Sequence, residues 1–222
     1  MMSPAAAREA AKEPPVIAAW RALVVALRRD AARYRDLGGW ASNVGFWIGA
    51  TYRLGVFAHA LPLLLRLPLL LVHRLVRWPW PLFLNVHLPG QARIGPGLCL
   101  IHARNVYVGS GAQLGEDCLL FHEVTIGTGP LPPGLPRIGN HVDVYVGARV
   151  LGGIEIGDGA KIGANCVVNR NVPRGAVGVL AENRVIPASL VAACGPKRTG
   201  TGAPAEAAAP AGAGQPKDAA GS

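Results

Sequence analysis

Two histidines, His102 and His122, lie twenty residues apart, and Glu123 follows the second. Imidazole has a pKa near neutrality, so a histidine can take a proton from a substrate group and return it later in a reaction. A carboxylate such as Glu123 can orient an imidazole. The sequence therefore indicates acid–base chemistry at these side chains, with His122 binding a substrate or orienting the base. The alternative for His122 is a surface histidine beside a glutamate.

The segment that carries these histidines repeats with a period of six. A branched aliphatic residue occupies every sixth position, apart from one step of eight and one double step. These positions are Ile94, Leu100, Val108, Leu114, Leu120, Ile126, Ile138, Val144, Val150, Ile156, Ile162 and Val168. A coil with three flat sides explains the period, because one aliphatic side chain per side fills its centre. The step of eight predicts a bulge at residues 102–105, and the double step predicts a projecting loop at 128–137.

The rest of the chain is organised around this repeat. Composition and periodicity predict four segments: 1–15, disordered; 16–86, a helical N-terminal region; 87–190, the β-helix; and 191–222, a disordered tail. Apolar spacing predicts helices over about 16–37, 43–60 and 61–76, the last interrupted by proline.

Several stretches of the repeat resemble the left-handed β-helix acyltransferases, and more closely their serine O-acetyltransferase type. They are A-R-I-G-P-G-L-C-L-I-H (92–102), F-H-E-V-T-I-G-T-G (121–129), L-G-G-I-E-I-G-D-G-A-K-I-G-A-N-C-V-V (151–168) and N-V-P (171–173), together with Y-R-L-G (52–55) upstream. The resemblance covers about residues 31–186. It implies a mainly β fold, a left-handed parallel β-helix of hexapeptide repeats behind N-terminal helices. It also implies an acetyl-CoA-dependent O-acetyltransferase.

The same resemblance implies site residues and an assembly. His102 matches the family's general base. The positions that match its coenzyme A contacts are Thr128, Gly129, Val146, Gly147, Gly163, Ala164 and Arg170. The family works as a homotrimer that can pair into a dimer of trimers, with active sites between neighbouring prisms.

Three positions depart from the serine acetyltransferase pattern. Ile101 and His87 stand where that family carries aspartates, and Gly134-Leu135-Pro136 stands where it carries an Arg-His pair. The missing groups would match the ammonium and carboxylate of serine. The sequence therefore favours a saccharide or cell-envelope glycan precursor as the acceptor. The alternative is serine itself, as in the serine O-acetyltransferase of cysteine biosynthesis.

Charge and hydropathy indicate where the protein works. Residues 1–85 hold eleven basic against four acidic residues. The apolar segment 55–72 is interrupted by proline, histidine and arginine, so it does not predict a membrane span. A basic, apolar front half indicates an anionic contact, either a membrane surface or a phosphorylated partner, and the alternative is a solvated arginine face. The predicted location is the cytoplasm, with peripheral contact to the inner face of the membrane. No nucleic-acid-binding motif is present.

Cysteine and histidine spacing argues against a metal. The four cysteines show no C-x-x-C pair, so neither a zinc cluster nor a disulfide framework is expected, and Cys118 and Cys166 are expected to pack in the core. The β-helix carbonic anhydrases bind zinc through three histidines, two of them five residues apart, and this chain lacks such a pair. The second alternative function is a metal-dependent hydratase on the same fold. The spacing of the cysteines and histidines, however, predicts a protein without a metal cofactor.

Overall fold

A computed structural model describes residues 14–130 and 132–178. The predicted tail, 191–222, lies outside the described residues, as do residues 1–13 of the predicted disordered N-terminus and residues 179–190 of the predicted β-helix. No helix among the described residues is long and apolar enough to cross a membrane.

The N-terminal region is helical where the apolar spacing predicts it. Its elements are α1 (Pro15–Arg33), a 3₁₀ turn (Arg35–Leu37), α2 (Val44–His59), α3 (Leu63–Arg77) and a π-helical turn (Trp80–Leu84). Gly38 ends the first helical stretch at a φ of 84°, a left-handed conformation that glycine adopts without a steric penalty.

Short parallel strands then wind into a three-sided coil. They are β1 (Arg93–Ile94), β2 (Cys99–Leu100), β3 (Tyr107–Val108), β4 (Gln113–Leu114), β5 (Leu119–Leu120), β6 (Thr125–Gly127), β7 (Arg137–Ile138), β8 (Asp143–Val144), β9 (Arg149–Leu151), β10 (Glu155–Ile156), β11 (Lys161–Ile162), β12 (Val167–Val168) and β13 (Val177–Gly178). Side one stacks β1, β4, β7 and β10. Side two stacks β2, β5, β8, β11 and β13. Side three stacks β3, β6, β9 and β12. The predicted β-helix is confirmed.

Strand register reveals where the two irregular steps fall. Tyr107 pairs with Thr125, eighteen residues on, which is one regular coil. Cys99 pairs with Leu119, twenty residues on, because the first coil carries the two-residue insertion. Leu119 pairs with Asp143, twenty-four residues on, because the next coil carries the long loop. Both insertions leave the stack at corners, as predicted.

The twelve aliphatics of the period-six series fill the centre of the coil, each at most 8% exposed. Burying a side chain of this size stabilises the fold by about 1.5–3 kcal/mol relative to leaving it in water. Cys118 and Cys166 are buried among them as free thiols, which confirms their packing role. Burial raises the pKa of Cys118 to about 11, so its reactive thiolate form is suppressed.

Two tyrosines of the helical region cover the exposed backbone of the first coil. Tyr52 donates a hydrogen bond to the carbonyl of Ala92 (2.7 Å) and accepts one from the N–H of Ile94 (3.3 Å). Tyr34 accepts one from the N–H of Leu100 (2.8 Å). The terminal strand of an open sheet presents unpaired backbone groups, and these side chains satisfy several of them.

An ion pair between α1 and α2 completes this cover. Arg53 binds Asp30 through Nε (3.0 Å) and Nη2 (3.2 Å), with both side chains buried. Arg53 also donates to the carbonyls of Ile94 (2.5 Å) and Gly95 (2.6 Å). The Y-R-L-G stretch thus docks the helices onto the β-helix.

Candidate active site

The candidate site lies along the corner between side two and side three, which we term the histidine corner. Successive coils contribute residues 101–106, 121–124, 145–148 and 163–166 to it. Backbone hydrogen bonds between coils join the N–H of Glu123 to the carbonyl of Arg104 (2.8 Å), Gly147 to His122 (3.2 Å) and Asn165 to Val146 (2.8 Å). The corner is therefore one continuous edge of the prism, and it carries both candidate histidines.

His102 occupies a backbone conformation that few residues adopt. Its φ is 50°, in the left-handed region, and the side chain is exposed. Asn105, in the same insertion, also has a positive φ of 51°, whereas Ala103 between them is buried. A left-handed non-glycine residue costs about 1–2 kcal/mol. The insertion thus holds the imidazole outside the packed coil, where a substrate can reach it.

His122 lies against His102 from the next coil. The ring centroids are 6.0 Å apart and the planes meet at 69°, an edge-to-face arrangement. The Nδ1 atom of His122 is buried and has no hydrogen-bond partner among the described residues. A buried polar atom normally has a partner, which a water molecule, a ligand or a neighbouring subunit can provide.

Glu123 does not orient either imidazole in this structure. Its side chain is exposed, its φ is 61°, and no hydrogen bond joins it to His102 or His122 in the described part of the chain. Its role as an orienting carboxylate remains a prediction.

Four of the predicted coenzyme A residues continue the histidine corner beyond His122. They are Val146, Gly147, Gly163 and Ala164. The N–H of Gly147 is bonded to the carbonyl of His122 (3.2 Å), and that of Gly163 to the carbonyl of Gly178 (2.7 Å). Because glycine has no side chain, a ligand can approach the backbone closely at these two positions. Their N–H groups, however, already donate hydrogen bonds to carbonyls of the chain.

The other three predicted coenzyme A residues, Thr128, Gly129 and Arg170, lie on the next corner, between side three and side one. There the loop that follows β6 folds against neighbouring coils: the carbonyl of Pro132 accepts a hydrogen bond from the N–H of Gly153 (3.0 Å). The structure brings the seven residues to two corners of one prism, with side three between them. A ligand that touches both sets must span that side or lie between two prisms.

The positions that depart from the serine acetyltransferase pattern have packing contacts. Ile101 is half-buried and packs against the cluster of Tyr34, Phe46 and Cys99 under the helices. The N–H of His87 bonds to the carbonyl of Val106 (2.8 Å), and its ring lies 6.0 Å from that of Tyr107.

Leu135 also has a packing contact. It lies over Gly109, where an added Cβ would approach its Cδ2 to 2.6 Å. The loop therefore closes over the coil that precedes it.

Sequence reasoning missed an aromatic pair at the histidine corner. Phe121 and Tyr145 stack with centroids 5.3 Å apart and planes at 25°. Each directly follows an inward aliphatic, a place that glycine fills in most of the repeat. Phe121 precedes His122, and Tyr145 precedes Val146. The coil that contains the long loop is twenty-four residues long, so the separation of twenty-four residues could have predicted that the two rings lie one above the other.

A metal centre finds no ligands in the described residues. Across 14–130 and 132–178, no group of three or more histidine, cysteine, aspartate or glutamate side chains is arranged to hold an ion.

Comparison with known proteins places the chain beside one family. No family model matches it. It is 41% identical to the serine acetyltransferase of Helicobacter pylori over 105 residues, 46% of this chain and 60% of the relative. The solved structure of the soybean serine acetyltransferase apoenzyme superposes with a TM-score of 0.57 at 32% identity, covering 81% of this chain and 72% of that one. A serine acetyltransferase complex with CoA superposes with a TM-score of 0.58 at 27% identity, covering 78% and 71%. The chain spans about three fifths of the length of the curated relatives it matches.

Proposed function

Because the chain belongs to the serine acetyltransferase family of hexapeptide-repeat acyltransferases, we propose that it transfers the acetyl group of acetyl-CoA to the hydroxyl of serine. The observation that carries the reaction type is the contact between His102 and His122 at an exposed corner. Acyl transfer from a thioester to an alcohol needs a base near pH 7, and a surface imidazole provides one.

In the proposed reaction His102 removes the hydroxyl proton while the oxygen attacks the thioester carbonyl carbon. The tetrahedral intermediate then collapses, the carbon–sulfur bond breaks, and the imidazolium returns its proton to the departing thiolate. The products are an O-acetyl ester and coenzyme A, so protons and atoms balance. In this proposal His122 helps to hold the acceptor beside His102, because its ring lies against that of His102.

The coenzyme lies, in this proposal, along the histidine corner past His122. Val146, Gly147, Gly163 and Ala164 follow His122 on that edge in the order of the coils, so a long ligand can run along it with its thioester end at His102. Gly147 has a φ of 69°, and an added Cβ would lie 2.1 Å from the Oδ1 of Asn165. The backbone conformation and the contact with Asn165 therefore require glycine here, and glycine also adds no side chain where the coenzyme would pass.

A homotrimer is the proposed working unit. The predicted coenzyme A residues occupy two corners of the prism, and neighbouring prisms in a three-fold assembly bring different corners together. Thr128, Gly129 and Arg170 would then complete a site built on the partner's histidine corner. Pairing of trimers and a place in the cytoplasm remain part of the proposal.

Serine is the leading acceptor because the relatives are named serine acetyltransferases, and this supports the cysteine-biosynthesis alternative over the saccharide that the sequence favoured. A saccharide hydroxyl is the second candidate. It is favoured by Ile101 and His87, which offer no carboxylate to an ammonium group, and by Leu135, which packs on glycine where an Arg-His pair is expected.

An acceptor panel decides between them. Purified full-length protein is mixed with acetyl-CoA and serine, homoserine, nucleotide sugars or lipid-linked sugars, and release of the coenzyme thiol is followed. Thiol release that depends on serine supports the proposal. Release that depends only on a sugar replaces serine by the second candidate, and no release with any acceptor contradicts acetyl transfer.

A further inference from the structure

Helix α3 has the reverse of the arrangement expected for a surface helix in water. Its half-buried face carries polar groups, namely Arg66, His73 and Arg77, beside Leu69 and Leu70. Its exposed face carries Leu64, Leu67, Leu71 and Leu75 and is continued by Trp78 directly after the helix; we term these five residues the leucine face. A soluble helix normally turns its apolar stripe to the core and its charges to solvent.

The exposure of the leucine face is extensive. Leu64 is 88% exposed, and Leu82 and Phe83 in the following π-helical turn add 57% and 72% exposed side chains. A contiguous apolar surface of this kind marks an interaction site rather than ordinary surface variation. Something apolar is therefore expected to cover it.

Charge favours an anionic partner. The chain contains no aspartate or glutamate between Asp36 and Glu116, whereas α3 alone contains three arginines. In the described residues no carboxylate pairs with Arg66, Arg74 or Arg77, and Arg66 donates to the Nδ1 of His59 (2.8 Å). Arg74 is exposed beside the leucine face, so a second copy packed there would bring like charges close together, which costs free energy.

Two adjoining cavities open beside the leucine face. One of about 440 Å³ lies between α2, α3 and the first coil. The other has a volume of about 620 Å³, and two residues of the leucine face, Leu71 and Trp78, form part of its wall. Both share His59, His73 and Arg77, and neither is lined by a carboxylate. Nitrogen donors next to an apolar surface match a phosphate group attached to hydrocarbon chains.

We infer that α3 docks onto an anionic lipid bilayer, with the leucine face in the boundary between headgroups and acyl chains and the arginines at the level of the lipid phosphates. Helix length agrees with this orientation. A helix of fifteen residues is about 22 Å long, shorter than the roughly 30 Å hydrocarbon core, so it lies on the bilayer. The inference goes beyond acetyl transfer and does not depend on it.

Vesicle sedimentation of the full-length protein tests the docking surface. Vesicles of phosphatidylglycerol and phosphatidylcholine are compared with vesicles of phosphatidylcholine alone, at low and high salt. Protein should sediment with the anionic vesicles and be released by salt. Leu75→Glu should weaken binding about tenfold or more, because a charge replaces a side chain that enters the boundary. Arg74→Gln should weaken it about fivefold.

Matched controls lie at the opposite end of the β-helix. Val177, at 61% exposed, is as accessible as Leu75 at 67%, so Val177→Glu adds the same charge away from α3 and should leave binding unchanged. Arg174→Gln is the control for Arg74→Gln. Equal binding by Leu75→Glu and wild type overturns the inference, as does equal binding to both kinds of vesicle. A changed oligomeric mass for Leu75→Glu with unchanged vesicle binding would instead assign the face to a second copy.

Discussion

Arg53 of α2 and Asp30 of α1 form a buried ion pair, and both side chains also make hydrogen bonds to the backbone of the first coil. Asp30 Oδ1 accepts bonds from the N–H groups of Gly97 (2.7 Å) and Leu98 (2.9 Å), while Arg53 donates to two carbonyls of the same coil. The pair therefore joins two helices to the end of the β-helix.

Removing one partner of this pair should be costly. Arg53→Met leaves the Asp30 carboxylate buried without a counter-charge, and such a change destabilises a protein by about 3–5 kcal/mol. Chemical denaturation, followed by circular dichroism, measures the loss. Arg93→Met, at an exposed arginine of the first coil, is the control. A loss at Arg53 no larger than that of the control would show that the pair does not fasten the helices.

The inward register can be tested with two adjacent valines of β12. Val168 is 6% exposed and Val167 is 53% exposed. Val168→Asp should bury an unpaired charge and prevent recovery of soluble, folded protein, whereas Val167→Asp should be tolerated. Size-exclusion chromatography and thermal unfolding compare the two. Similar behaviour of the two variants would contradict the register.

Most of the β-helix could be predicted from the sequence because one physical requirement, an aliphatic side chain at each inward position, repeats every six residues. The eight-residue step before Val108 located the bulge for the same reason. The way in which the N-terminal helices pack on the β-helix was harder to predict from the sequence. Periodicity identifies the two faces of α3 but not which one is buried, and the pairing of Asp30 with Arg53 joins residues that no local pattern connects. Leu135 is likewise placed by a loop that folds back, which spacing alone does not specify.

His73 should make stability depend on pH. Burial, and then the charge of Arg77, lower the pKa of His73 below its ordinary value, with His59 adding to the effect and a bond to the backbone of Thr51 opposing it. The unfolded chain therefore takes up the proton first, near pH 6.5. Stability should be full above that pH and fall as the pH drops from it towards the folded pKa.

The variant His73→Gln isolates this effect. Glutamine keeps an N–H donor and does not titrate, so thermal unfolding midpoints of the variant should fall less between pH 7 and pH 5.5 than those of wild type. Parallel pH profiles for the two proteins would count against a titrating His73.

Arg170 is expected to contact the phosphates of coenzyme A. It is exposed on the corner between side three and side one, and a charge-assisted bond to phosphate contributes about 1.5–3 kcal/mol. Arg170→Glu should weaken coenzyme A binding about tenfold or more and leave acceptor affinity nearly unchanged. Isothermal titration calorimetry measures both. Arg174→Glu, four residues further on, is the control, and equal weakening by the two variants would move the phosphates elsewhere.

His102 carries the central claim, and the kinetics of His102→Asn test it most directly. Asparagine tolerates the left-handed backbone at this position but cannot act as a base near pH 7, so the fold and coenzyme A binding should persist. With an acceptor that wild type acetylates, kcat should fall by about two to four orders of magnitude. His122→Asn should cost less, mainly through a higher KM for the acceptor. Turnover close to wild type in a folded, coenzyme-binding His102→Asn protein would contradict the assignment, and a larger loss of kcat in His122→Asn would place the base one coil further along.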